Sequence, residues 1–230
     1  MKPNQKLFFA TTLAGLGLLA SSQAQTVVYD NLATAATAGY SDLNSNHPIF
    51  GDALNLTLGG TITAFGLSVY NSSSGGNTGS ILAGTMTIDI YDNTTPYAGG
   101  PLSAEPLLGS ATGTVSFGTG LNPGFYTTVT FNLSSLNITV PQNIFVTQQF
   151  TETSGTSTRN GVVLFSNPTI GSSPANVYLN SPATPEGLYT FSSNPNQFGY
   201  HVEVATVPEP SSFALAGIAV AAAIIFRRRK

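Results

Sequence analysis

Thr85-Met86-Thr87-Ile88-Asp89-Ile90-Tyr91 alternates polar and apolar residues without a break. A period of two puts Met86, Ile88 and Ile90 on one face of an extended chain and Thr85, Thr87 and Asp89 on the other. A helix would scatter these residues around its circumference, so the stretch reads as a half-buried strand. The pattern recurs on both sides of it. Leu54, Leu56 and Leu58 alternate with Asn55 and Thr57. Gly59-Gly60 then offers a tight hairpin turn into Phe65, Leu67 and Val69. Further on, Val129, Phe131 and Leu133 alternate with Thr128, Thr130 and Asn132, and 144–150 is another strand. Val162-Val163-Leu164-Phe165 follows Asn160-Gly161 and is apolar on both faces, which suits the middle of a sheet. Short strands at 188–191 and 200–204 end the series. The connections carry turn chemistry: a Gly/Ser-rich loop at 71–80, three prolines within 94–106, Asn122-Pro123-Gly124, and a Pro/Ser/Asn-rich stretch at 166–187. Residues 107–117 supply one strand or two. The whole predicts an all-β fold, an antiparallel β-sandwich of roughly ten strands with jelly-roll-like character.

The two ends of the chain follow a different logic. Lys2 and Lys6 precede an apolar stretch from Leu7 to Ala20, and Ser22-Gln23-Ala24 places small residues where a signal peptidase reads. This is the layout of a secretory signal peptide over residues 1–24, with cleavage between Ala24 and Gln25. At the other end Phe213 to Phe226 is apolar throughout and is closed by Arg227, Arg228, Arg229 and Lys230. As a helix this run is roughly 21 Å long, marginal for a bilayer core of ~30 Å. Snorkelling of the flanking arginines and local thinning absorb the mismatch. The basic cluster stays on the cytoplasmic side, so the body lies across the membrane from it. The chain therefore divides into a signal peptide (1–24), a sandwich body (25–206) and a tail (207–230) with a transmembrane helix at 213–226.

The tail resembles the PEP-CTERM sorting domain of Gram-negative bacteria. Pro208-Glu209-Pro210 matches the motif that names the family, and the apolar run and basic end match the rest. The resemblance implies processing by an exosortase-type membrane protease that cuts near the motif, and an association with exopolysaccharide and biofilm. It also implies passage through the inner membrane, transient anchoring there, and delivery to the cell surface or matrix. The strand-and-turn layout of the body is loosely similar to the β-rich choice-of-anchor domains joined to such tails.

Removing the two signals changes the electrostatics. The chain has a formal charge of −3, but six of its seven basic residues lie in the signals. Between Gln25 and Val207, Arg159 stands alone against nine acidic residues, which leaves the body near −8. Such a surface argues against nucleic acid, which needs a positive footprint. With no cysteine in the chain, disulfides, thiolate metal sites and cysteine catalysis are excluded. His47 and His201 are the two histidines, too few alone for a zinc site, and His201 falls on the outward side of its strand. Glycoside hydrolysis needs paired carboxylates, for which Glu105, Glu152, Glu186 and Glu203 are candidates by type. Asp89, Asp92 and Asn93 gather oxygen ligands where a strand ends, with Asp30, Asn31 and Asp52 as contributors from other segments. They form either a calcium site or plain turn chemistry. Tyr70 and Tyr91 fall outward by alternation, and Tyr97, Tyr126, Tyr178 and Tyr189 lie in or near loops, where rings can stack on sugars. The sequence thus describes an exported, non-catalytic envelope or matrix protein, structural or adhesive, with carbohydrate as candidate ligand. A secreted polysaccharide-acting enzyme is the alternative.

Overall fold

The computed structural model describes residues 24–41, 48–181, 184–190 and 197–206. Its strands, in chain order, are β1 (Ala24–Asp30), β2 (Ala36–Tyr40), β3 (Ile49–Asn55), β4 (Gly60–Asn71), β5 (Ile81–Asp92), β6 (Leu107–Leu121), β7 (Tyr126–Asn132), β8 (Thr139–Val140), β9 (Asn143–Gly155), β10 (Asn160–Phe165), β11 (Asn176–Asn180), β12 (Gly187–Thr190), β13 (Gln197–Phe198) and β14 (Tyr200–Thr206). They build two antiparallel sheets that share one apolar core, so the fold is an all-β sandwich. One sheet runs β1-β14-β4-β10-β13, with β2 on β10 and both β7 and β8 on β4. The other runs β12-β11-β3-β9-β5-β6. Gln25–Ala205 is one compact unit.

The alternation of residues 85–91 is realised on β5. Met86, Ile88 and Ile90 are each 1% exposed and point into the core. Phe65, Leu67 and Val69 of β4 and Val202 and Val204 of β14 meet them from the opposite sheet. Burying one such side chain fully contributes roughly 1.5–3 kcal/mol. β4 carries a bulge that simple alternation does not reveal. Ala64 pairs with Glu203 and Ile62 with Val204, so Thr63 is an extra residue in the ladder. The bulge moves the inward set from the even position Ile62 to the odd positions Phe65, Leu67 and Val69.

Two expectations need correction. Gly59-Gly60 does not close a hairpin: β3 and β4 lie in different sheets, and residues 56–59 cross between them. Gly59 is needed because a Cβ there would stand 2.6 Å from the Val140 carbonyl oxygen. The stretch 166–187 is not all loop, because β11 lies within it and pairs with β3 and β12. Its apolar part is three residues long, too short to stand out among Asn, Ser and Pro. β1, β2, β8 and β13 were not foreseen, and 107–121 is one long strand, the first of the two alternatives.

The six-stranded sheet is covered on its outer face too. The loop after β5 crosses that face, carrying Tyr97 and the short 3-10 turn Leu102–Ala104. It seals a second apolar cluster of Tyr97, Leu102, Phe145 and Tyr178. β4 is paired from end to end. Thr61 pairs with Ala205 at one end, and Tyr70 pairs with Tyr126 at the other. Nine residue-to-residue steps separate the two pairs, roughly 30 Å at ~3.3 Å per step.

Candidate functional site

A cleft of about 530 Å³ opens where β6, the edge of one sheet, passes the chain into β7 on the other. Ser116, Phe117, Asn122, Phe125, Tyr126 and Thr127 line it. Asn122-Pro123-Gly124 forms the expected turn between the strands, with Gly124 at a φ of +85°, a conformation that side chains disfavour. Phe125 and Tyr126 follow directly, 64% and 44% exposed. Two of the cleft's rings are braced from behind. Phe117 meets Phe150 edge to face at 6.0 Å, and Tyr126 meets Phe165 in the same way at 6.0 Å.

The turn itself is clamped by Asn71, which is fully buried. The Asn71 backbone N–H donates to the Phe125 carbonyl (3.0 Å), and the Gly124 N–H donates to the Asn71 carbonyl (2.7 Å). Its Nδ2 donates to the carbonyls of Leu121 (2.7 Å) and Gly79 (2.9 Å). Its Oδ1 accepts from Asn77 Nδ2 and from Ser157 Oγ, both at 2.8 Å. One amide thus uses its full hydrogen-bonding capacity to tie three loops together. Ser80 Oγ adds a bond to Asn122 Oδ1 at 2.7 Å. The exposed rings therefore stand on a rigid frame.

A second cavity, of about 350 Å³, lies on the outer face under the loop after β5. The amides of Asn55, Asn93, Asn143 and Asn176 surround it, and Tyr97 and Phe145 form its floor. These rings are already engaged. Tyr97 and Phe145 stand 4.8 Å apart, and Phe145 and Tyr178 5.7 Å. Tyr97 is 8% exposed, and Phe145 and Tyr178 1%. The Tyr97 hydroxyl donates to the Gly100 carbonyl. Glu186 Oε1 accepts the Tyr178 hydroxyl at 2.9 Å and the Leu102 N–H at 2.7 Å. Burial first, and then the bond to Glu186, push the Tyr178 phenol well above its ordinary range. Tyr178 was expected in or near a loop; it lies on β11 beneath one. Tyr70, Tyr91 and Tyr189 are half-buried.

The candidate calcium ligands divide between faces. Asp89 points outward from β5, across from Ser110 and Thr147. Asp92 Oδ1 accepts the Thr94 N–H at 2.8 Å, which holds its carboxyl below the usual range. Asn93 Oδ1 accepts the Tyr97 N–H, also at 2.8 Å. Two of the three oxygens thus serve the turn. Asp52 is not brought to them, because it faces the interior from β3. No group of three or more His, Asp or Glu side chains that could hold a metal occurs among the described residues.

Asp52 is fully buried. Ser173 Oγ donates to its Oδ1 at 2.8 Å, while Oδ2 and the nearby Tyr200 hydroxyl have no partner. Desolvation pushes the Asp52 carboxyl well above the usual range, against the smaller opposing effect of Ser173. Of the glycosidase candidates, Glu152 lies near the end of β9 and Glu203 on β14 in the other sheet. Glu105 and Glu186 lie on the outer face, where both act on the Tyr97 phenol and both bond to Leu102, Glu186 through its carboxylate and Glu105 through its backbone N–H. His201 sits between two carboxylates, 3.5 Å from Asp30 and 3.2 Å from Glu203, with its side chain 23% exposed.

Residues 206–230 match the family model described as the PEP-CTERM protein-sorting motif. No curated protein matches the chain. The motif implies an exported, surface-sorted protein that passes through a membrane-anchored stage and is processed by exosortase. Pro208, Glu209, Pro210, the run 213–226, the basic cluster, residues 1–23 and His47 lie outside the described residues. Ala24 opens β1, with Gln25 after it. No helix among the described residues is long and apolar enough to cross a membrane.

Phe117, Phe125 and Asn71 were not singled out from sequence. Two aromatics placed directly after an Asn-Pro-Gly turn were the available signal for the cleft. Asn71, in a loop rich in Asn, Ser and Gly, carried none.

Proposed function

We propose that the chain is a non-catalytic component of the cell envelope or exopolysaccharide matrix whose body meets matrix polysaccharide in a structural or adhesive role. Signal peptidase removes residues 1–24, Pro208-Glu209-Pro210 marks the tail for the exosortase, and Arg227 to Lys230 stop transfer at the inner membrane. The observation that carries the reading is the sorting motif at the end of the chain. The compactness of Gln25–Ala205 supports it, since a body that begins and ends at the signals can be released without disturbing its core.

Fractionation of a producing bacterium tests the sorting step. The full chain should be cell-associated or matrix-associated, and a variant lacking residues 208–230 should be exported into the medium. A truncated chain that stays in the membrane fraction contradicts the proposed role of the tail.

A further inference from the structure

The cleft between β6 and β7 combines four properties. Its rings are open to solvent, with Phe125 64% and Tyr126 44% exposed. Its polar groups are hydroxyls and one amide: Ser116, Thr127, the Tyr126 phenol and Asn122. No Asp, Glu, His, Lys or Arg lines it among the described residues. Its turn is fixed by the saturated Asn71 amide. A large aromatic left in water on a mobile loop would be unremarkable. One held there by a buried hydrogen-bond hub keeps a binding geometry at little entropic cost on association.

These properties select a ligand. Aromatic faces carry negative charge density and attract the polarised C–H face of a sugar ring, while hydroxyls and amides both donate to and accept from sugar hydroxyls. Without a cation the cleft offers nothing to a carboxylate or sulfate, and a body near −8 repels a polyanion. The same negative charge opposes docking on an anionic lipid surface. The cleft also lies at the Tyr70–Tyr126 end of β4, while the chain leaves the body at Ala205, paired with Thr61 at the other end.

We infer that this cleft is a binding site for neutral polysaccharide, with Phe125 and Tyr126 as the stacking platform and Asn122, Ser116 and Thr127 as the hydroxyl-reading groups. The inference rests on the proposed contact with matrix polysaccharide and assigns it a place and a ligand class. The outer-face cavity is the weaker candidate, because its rings are consumed by packing on one another.

Affinity electrophoresis of the full chain tests it, with gels containing hydroxyethylcellulose, laminarin or dextran as neutral glucans and polygalacturonate as the anionic probe. At least one neutral glucan should retard the chain, with little dependence on salt, and polygalacturonate should not. Phe125→Ala should weaken retardation roughly tenfold, the scale for an anchor ring at the centre of a site. Phe125→Trp should restore it, and Leu136→Ala, at a 47% exposed position outside the cleft, should change nothing. If none of the four polymers retards the chain, the proposed contact with polysaccharide fails and this site with it. If a neutral glucan retards wild type and Phe125→Ala equally, that contact stands and the site assigned here is wrong. Retardation by polygalacturonate as strong as by the neutral glucans overturns the ligand class. A Phe125-dependent dimer in sedimentation with no glucan bound shows the cleft to be a self-contact instead.

Discussion

Asn71 and Asp52 are both fully buried polar residues, and the protein treats them in opposite ways. Asn71, at the end of the sandwich, has every side-chain donor and acceptor position occupied and joins three loops. Asp52, in the interior, has one oxygen bonded to Ser173 and the other without a partner, in a region that also holds the unpartnered Tyr200 hydroxyl. A buried polar group stabilises only when its hydrogen bonds are made, and it opposes folding when they are not. The contrast separates a residue that frames the cleft from one that the core merely tolerates.

The largest effect expected from this contrast is at Asn71. Asn71→Ala removes the bonds that Asn71 accepts from Asn77 and Ser157 and those it donates to the carbonyls of Gly79 and Leu121, so it should lower stability by about 2–4 kcal/mol. For a body of this size that is on the order of 5–15 °C in Tm. Thermal unfolding by circular dichroism reads it, and a loss under 1 kcal/mol would show that the hub is dispensable. Asp52 should give a smaller effect of opposite sign. Its folded value is raised above the unfolded one. The stability linked to the neutral acid is therefore fully present below the ordinary carboxylate range and is lost as pH rises through the folded value. Wild type should melt higher at pH 5 than at pH 8. Asp52→Asn should flatten that slope and gain about 1 kcal/mol at pH 8. An unchanged slope would mean that Asp52 does not titrate in isolation. The smallest effect belongs to Phe125. Removing a ring that is 64% exposed should change stability by less than about 0.5 kcal/mol. A larger loss would make Phe125 part of the core, and the cleft would lose its claim as a surface.

The legible part of this fold was the part governed by period. Met86, Ile88 and Ile90 on β5 and Phe65, Leu67 and Val69 on β4 declared their inward faces in the sequence, and they do form the core. What periodicity missed was set by contacts distant in sequence. Gly59 answers to Val140, the Thr63 bulge to β14, and β11 to β3. None of these partners is visible from its own segment. The tyrosines show the same limit. Tyr97 and Tyr178 are indistinguishable from Tyr126 by local sequence, yet the loop after β5 closes over the first two and leaves the third open. The sorting tail was legible because its motif, apolar run and cations act as a linear signal and need no tertiary partner.

That tail carries the central claim, and the most direct test is the intact mass of the protein recovered from the matrix and medium of its producing bacterium. The recovered chain should begin at Gln25 and lack the apolar run and basic cluster beyond Pro208-Glu209-Pro210. A recovered extracellular chain that still ends at Lys230 would contradict it.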